Sequence, residues 1–301
     1  MRALVVGLTT VLLVLVGCTA APEPVTGPTP VPQAPAPQVR SYVALGDSFA
    51  AAPLVPTTDL AGGCFRSDHN YPALLAAHLD VTRFTDVTCS GATTADLTGR
   101  QVTVRDATVP PQLRAVRPDT DLVTLGIGGN DDGLFGFLVR RCAQLRGLDP
   151  DGSPCARTLA ARLPTLTQTG RKITAQVTAA IGIIQRRAPD AEVVLVGYPR
   201  LAPEHDTCAR LPLARGDYAT ARTVTRALNR ALARAAAATG ARFVDLYAAS
   251  RGHDVCSADP WVNGRRTVEG QALAYHPLAT GMRATADAVL AELGSGTPAS
   301  R

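Results

Sequence analysis

Ser48 stands in a short turn directly after a run with strand character, Tyr42-Val43-Ala44-Leu45-Gly46-Asp47-Ser48-Phe49. In open α/β sheets ligands bind outside the carboxyl ends of the strands, and a serine presented on a tight turn there suits a nucleophile. Gly46 removes a side chain where the turn is tightest. Ser48 would equally well only cap the segment that follows, and a three-residue pattern is a weak signal by itself. Two further stretches strengthen it. Cys89-Ser90-Gly91-Ala92 and Gly126-Ile127-Gly128-Gly129-Asn130-Asp131 each follow a strand-like run, so both fall on the same edge as Ser48. Gly91 offers an unobstructed backbone N–H and Asn130 a side-chain amide. Together with the Ser48 N–H they would make an oxyanion hole for a tetrahedral intermediate. Taken singly, Gly91 serves turn geometry, and Asn130 a cap or turn, just as well.

A serine nucleophile needs a base, and the chain has five histidines. His78 lies on the helical stretch YPALLAAHL and reads as a surface or packing residue. His69, His205 and His253 fall in or beside stretches bracketed by cysteines, where they line an entrance or face water. His276 lies in Ala274-Tyr275-His276-Pro277, a loop just before the last helix. Pro277 biases His276 toward an extended backbone. A loop following the last strand returns to the carboxyl edge, where Ser48 is.

The elements that must position these residues alternate between strand and helix. Strands are expected at Tyr42–Leu45, Arg83–Thr88, Asp121–Ile127, Glu192–Gly197 and Arg242–Leu246. Helices are expected at Tyr71–Leu79, Pro111–Val116, Arg171–Arg187, Tyr218–Ala238 (ended by Gly240) and Met282–Leu293. This alternation predicts a parallel sheet with right-handed crossovers and helices on both faces.

Gly46-Asp47-Ser48, then Gly91, then Gly128-Gly129-Asn130-Asp131, then His276-Pro277, in that order, resemble the four blocks of the GDSL/SGNH hydrolase family. The match spans about 41–294, and the ordered set is far more specific than any one block. The cysteine-rich form is similar to the secreted bacterial esterase and lipase branch. The resemblance implies an α/β, flavodoxin-like three-layer sandwich with a five-stranded parallel sheet in the order 2-1-3-4-5, and hydrolysis of carboxylic esters. It gives Ser48 as nucleophile, His276 as base, and the Ser48 N–H, the Gly91 N–H and the Asn130 amide as oxyanion donors. The G-x-S-x-G elbow of the α/β-hydrolases is absent around Ser48.

One position departs from the pattern. Many family members carry an aspartate three residues before the histidine, and here that residue is Leu273. The nearby acids Asp254, Asp259 and Glu269 lie at other spacings. A backbone carbonyl can hold a histidine tautomer as a neutral acceptor. A Ser48–His276 dyad steadied by a carbonyl of loop 270–275 is therefore expected, with a remote acid as the alternative.

The rest of the chain bounds the setting. Its 301 residues are 46% hydrophobic, enough for one sizeable core, and the net charge of +5 is scattered over isolated arginine pairs. That argues against nucleic-acid binding. Residues 1–17 join Arg2 to an apolar run too short to span a membrane and read as a secretory signal. The run ends Leu-Val-Gly-Cys18, which resembles a bacterial lipobox and implies a lipid anchor on Cys18. A plain signal with a chance cysteine is the alternative. Seven prolines between residues 22 and 37 make 18–40 an extended spacer. The folded domain is expected over 41–294, with a polar tail at 295–301. Six more cysteines in an exported chain read as disulfides. Neighbour pairing, Cys64–Cys89, Cys142–Cys155 and Cys208–Cys256, closes each excursion without chain crossing. The shortest loop would gain about 3 kcal/mol. No CxxC or Cys/His set suggests zinc, and no motif requires a cofactor. The chain is thus expected to be an extracytoplasmic serine ester hydrolase, monomeric and anchored to the membrane or secreted. The alternatives are a lipid-specific lipase or phospholipase of the same fold and a non-catalytic envelope-binding lipoprotein.

Overall fold

Alternate residues of the first strand face two different cores, and this sets the layers. Strand β1 (Ser41–Gly46) is buried along its whole length. Val43 and Leu45 pack on one side of the sheet and Tyr42 and Ala44 on the other, as the two-residue period of a strand requires. A strand buried on both faces belongs inside a parallel sheet covered by helices on each side. The architecture is that of a computed structural model, which describes residues 38–162 and 165–295. Residues 1–37, where the signal, the lipid site Cys18 and most of the spacer are expected, lie outside the described residues, as do 163, 164 and 296–301.

Four strands join β1: β2 (Arg83–Asp86), β3 (Leu122–Gly126), β4 (Glu192–Val196) and β5 (Arg242–Val244). All pairings are parallel and the order is β2-β1-β3-β4-β5, the 2-1-3-4-5 arrangement of a flavodoxin-like sheet. Gly46 pairs with Gly126, so the carboxyl ends of β1 and β3 stand level. The turns after them therefore start side by side.

Helix α1 (Ser48–Ala51) is a single turn, and α2 (Tyr71–His78) begins at Asn70, whose side chain accepts the Ala73 N–H. On one face of the sheet, α3 (Leu166–Arg187) and α4 (Asp217–Thr239) pack over Val123, Leu125, Val193 and Leu195. Helix α3 buries Ile173, Val177, Ile181 and Ile184, a spacing of three to four that places them on one stripe. Truncating one of the three isoleucines to alanine removes about 2–5 kcal/mol by the usual cost of a core cavity. On the other face, α2 and α5 (Ala279–Gly294) cover Tyr42, Ala44, Val194 and Val196 with Leu75, Met282 and Val289.

The sequence-based boundaries are off at the ends, for local reasons. Strand β2 stops at Asp86 rather than Thr88, because the Asp86 carboxylate takes the Thr88 N–H and hydroxyl. Helix α3 begins five residues before Arg171, because Thr165 and Gln168 form a reciprocal capping box. Residues 112–115 make a 3₁₀ turn. Helix α4 ends where expected, at Gly240, in the left-handed conformation that lets a helix stop.

The excursions carry structure of their own. Residues 134–145 and 154–162 are helical and join segments 201–213 and 255–275 in a third apolar cluster. The disulfides are Cys64–Cys89, Cys142–Cys155 and Cys208–Cys256. Among the described residues no helix is long and apolar enough to cross a membrane.

Candidate active site

The turn after β1 has little freedom. Gly46 has φ +156°, and a Cβ there would come 2.6 Å from the Gly126 carbonyl oxygen and 2.8 Å from the Ala50 Cβ. Glycine is required by that close approach. The Asp47 N–H bonds the Gly126 carbonyl at 2.9 Å, and its side chain caps α1 by accepting the Phe49 N–H at 2.9 Å. Ser48 is thereby held at the carboxyl edge of the sheet, bordering a cleft of about 1110 Å³.

His276 meets it there across 228 residues of chain, with Nε2 and Ser48 Oγ 2.8 Å apart. The other ring nitrogen, Nδ1, lies 2.8 Å from the Ala274 carbonyl oxygen. A carbonyl can only accept, so Nδ1 carries the proton and Nε2 is left to accept from the serine hydroxyl. That is the tautomer a general base needs. Tyr275, at φ +61°, turns the backbone so that a carbonyl two residues back reaches the ring. The loop is braced by Asn263, whose Nδ2 donates to the Ala272 carbonyl and whose N–H donates to the His276 carbonyl.

Among the described residues no carboxylate bonds His276. Asp254 caps the Cys256 N–H, and Asp259 lies beside His253. His69 pairs with Asp68 at the surface, His253 stacks on Trp261, and His78 and His205 are exposed.

Gly91 and Asn130 border the same cleft as Ser48 and His276. Gly91 has φ +81°, in the left-handed region. The disulfide at Cys89 and the Ser90 N–H bond to the Cys64 carbonyl hold its turn. Asn130 donates one amide hydrogen to the Ala92 carbonyl at 2.9 Å, which moors the two loops and leaves its second amide hydrogen over. Asp131 strengthens the same junction by accepting the Thr94 N–H and hydroxyl. Among the described residues the N–H groups of Ser48 and Gly91 have no internal acceptor.

Two residues that motif reading passed over complete the surroundings. Phe49 and Phe135 enclose the imidazole, with ring centroids 5.5 and 5.7 Å from it. Burial pushes His276 down from 6.5 to about 4, against the opposing pull of the Ala274 carbonyl. Burial also raises the Asp47 carboxyl from 3.8 to about 7, partly offset by the donors Tyr198 and Phe49. Tyr198 gave no signal in the motif pattern, yet its hydroxyl touches Asp47. The two shifts act on stability in opposite senses. The His276 contribution is present above pH 6.5 and lost as pH falls toward 4. The Asp47 contribution is present below pH 3.8 and lost as pH rises through about 7.

A serine hydroxyl bonded to an imidazole, at the carboxyl edge of a flavodoxin-like sheet and beside unengaged N–H donors, is the arrangement a serine hydrolase requires. Residues 44–284 match the model of the GDSL-like lipase/acylhydrolase family, and the chain belongs to that family. Lipase 2 of Streptomyces coelicolor is 39% identical over 84% of this chain and 85% of its own length. An esterase of Streptomyces scabiei is 31% identical over 85% and 83%. Among solved structures, phospholipase A1 of Streptomyces albidoflavus superposes with a TM-score of 0.69 at 28% identity, covering 84% of this chain and 99% of that one. An extracellular lipase of Streptomyces rimosus gives 0.67 at 32% identity, covering 86% and 100%. The protein is a carboxylic ester hydrolase of the lipase and esterase type.

The burial of His276 has a direct readout. In a pH titration followed by NMR, its imidazole is expected to stay neutral down to about pH 4. A midpoint at or above the ordinary 6.5 would show a wetter ring or a carboxylate partner.

Proposed function

We propose that the chain cleaves carboxylic esters through an acyl-enzyme on Ser48, with His276 as general base and the Ser48 N–H, Gly91 N–H and Asn130 amide as oxyanion donors. The observation that carries this reading is the 2.8 Å bond between His276 Nε2 and Ser48 Oγ. As Oγ attacks the ester carbonyl, its proton passes to Nε2, and the donors receive the charge that develops on the carbonyl oxygen. The imidazolium then gives that proton to the departing alkoxide oxygen, which leaves as the alcohol. A water molecule, deprotonated by the same nitrogen, attacks the acyl carbon. The acid departs as the proton returns to Oγ. Throughout, the Ala274 carbonyl keeps Nδ1–H in place, fixing the tautomer without adding charge.

The cleft favours a lipid-like substrate bearing an anion. Phe65, Phe135, Val139 and Leu273 give it apolar walls, while Arg140, Arg146 and Arg265 also line it and no Asp or Glu does. Among the described residues these three arginines pair with no carboxylate. An acyl chain fits the walls, and a phosphate fits guanidinium groups. The neighbouring phospholipase A1 supports this second reading over a purely neutral ester.

Export is supported by the three disulfides and by the extracellular lipase among the relatives. In this reading residues 1–17 are the signal, Cys18 carries the lipid, and 18–40 tether a monomeric domain of 41–294 with a polar tail at 295–301.

Four outcomes test these readings. A fluorophosphonate probe is expected to label Ser48, and Asn130→Ala to lower kcat about a hundred-fold in a folded protein. Labelling elsewhere, or a thousand-fold loss on converting Asp254, Asp259 or Glu269 to its amide, contradicts the dyad. Replacing Arg140, Arg146 and Arg265 together by glutamine should lower kcat/KM roughly ten-fold for a phosphatidic acid and less than about two-fold for the matching diacylglycerol. Equal losses on both lipids would remove the anion from the specificity. Cys18→Ser should move the protein from the membrane fraction to the soluble one, and a wild type without lipid by mass spectrometry refutes the anchor.

A further inference from the structure

Below Ser48 lies a buried polar chain that ester cleavage as written above leaves unused. Tyr198 follows β4 by two residues and is almost wholly buried. Its hydroxyl donates to Asp47 Oδ2, on the residue immediately before the nucleophile. The Tyr198 hydroxyl oxygen in turn accepts the Gly129 N–H at 3.0 Å, on the residue immediately before Asn130. One hydroxyl therefore links the turn after β1 to the turn after β3. A phenol has one proton to give, and here the carboxylate takes it while the amide fills an acceptor position. The second Asp47 oxygen holds the Phe49 N–H, so the carboxylate grips the turn on both sides of Ser48.

Tyr198 is itself anchored. Its N–H donates to Asn229 Oδ1 at 2.9 Å, and Asn229 Nδ2 donates back to its carbonyl at 3.1 Å, which ties it to α4. The Phe49 ring meets the Tyr198 ring at 5.2 Å and the His276 ring at 5.5 Å. Gly129 leaves room for the phenol, since a Cβ there would lie 3.1–3.2 Å from its ring carbons and hydroxyl.

We propose that Tyr198 is a positioning residue whose hydroxyl holds the Ser48 turn and the Gly129–Asn130 turn at one fixed spacing, so that nucleophile and oxyanion donor converge on the same carbonyl. This rests on the roles proposed above for Ser48 and Asn130. Convergence of this kind is sensitive, because a misplacement of about 1 Å can lower a rate about a hundred-fold. Tyr198 touches neither substrate nor reacting atoms, and it acts through the two backbones it joins. Phenylalanine at this position keeps the ring and its packing and releases both turns.

The test is a double-mutant cycle on kcat with a short p-nitrophenyl ester, with active sites counted by titration with a fluorophosphonate. Tyr198→Phe is expected to lower kcat about ten-fold with KM changed less than about two-fold. In the Asn130→Ala background the same substitution should cost less than about three-fold, because the donor it positions is gone. An unchanged kcat per titrated site with a lowered Tm would reduce Tyr198 to a packing residue. Equal losses in both backgrounds would also overturn the proposal. Should Tyr198→Phe fail to fold, Gly129→Ala crowds the hydroxyl without removing it and is expected to lower kcat several-fold. A folded Gly129→Ala with full kcat refutes the proposal. A silent Asn130→Ala, by contrast, counts against the oxyanion assignment and leaves the Tyr198 arm in the wild-type background readable.

Discussion

The site depends on one imidazole kept neutral and out of water. His276 is enclosed by Phe49 and Phe135, and burial weighs more on its charge than the Ala274 carbonyl does. With Nδ1–H committed to that carbonyl, the free lone pair is on Nε2, facing the Ser48 hydroxyl. A carboxylate would fix the same tautomer and also stabilise the imidazolium. The Ala274 carbonyl fixes the tautomer and, as a neutral acceptor, favours the imidazolium less than a carboxylate would.

The placement of the backbone and amide donors comes from the sheet. Pairing of Gly46 with Gly126 levels the ends of β1 and β3, and the loops that follow are bound to each other rather than merely adjacent. The Asn130 amide holds the Ala92 carbonyl, and Asp131 holds Thr94. The Cys64–Cys89 bridge sits at the base of the Gly91 turn. Tyr198 connects the Asp47 and Gly129 ends from below. The ends of the central strands and the turns after them carry Ser48 and Asn130, while segment 135–150 supplies much of the lining of the cleft beside them.

Much of the architecture was legible before any coordinate. The five strands could be read because runs such as DLVTLGI and EVVLVG are apolar, short and separated by helical spacing. The site blocks could be read because they make local demands. Gly46, Gly91 and Gly128 take backbone conformations that other residues resist, so those demands surface as recognisable letters. Element ends were less legible, since the Asp86 and Thr165 side chains move them by bonds to their own neighbours.

The sequence by itself determined the fold class, the family and the candidate Ser48, Gly91, Asn130 and His276, because each of these is written in residue type and order. Leu273 in place of an acid pointed to a carbonyl of loop 270–275 as the partner of His276, and tertiary structure alone selected Ala274, since every residue has a carbonyl and Ala274 carries no side-chain signal for supplying one. It alone brought Tyr198 beneath Asp47, through packing between β4, α4 and the turn after β1 that no local spacing encodes. It also gathered Arg140, Arg146 and Arg265 on one cleft, from segments more than a hundred residues apart. Hydrogen bonds and charges act through space over a few ångströms, and only the folded chain makes those distances short.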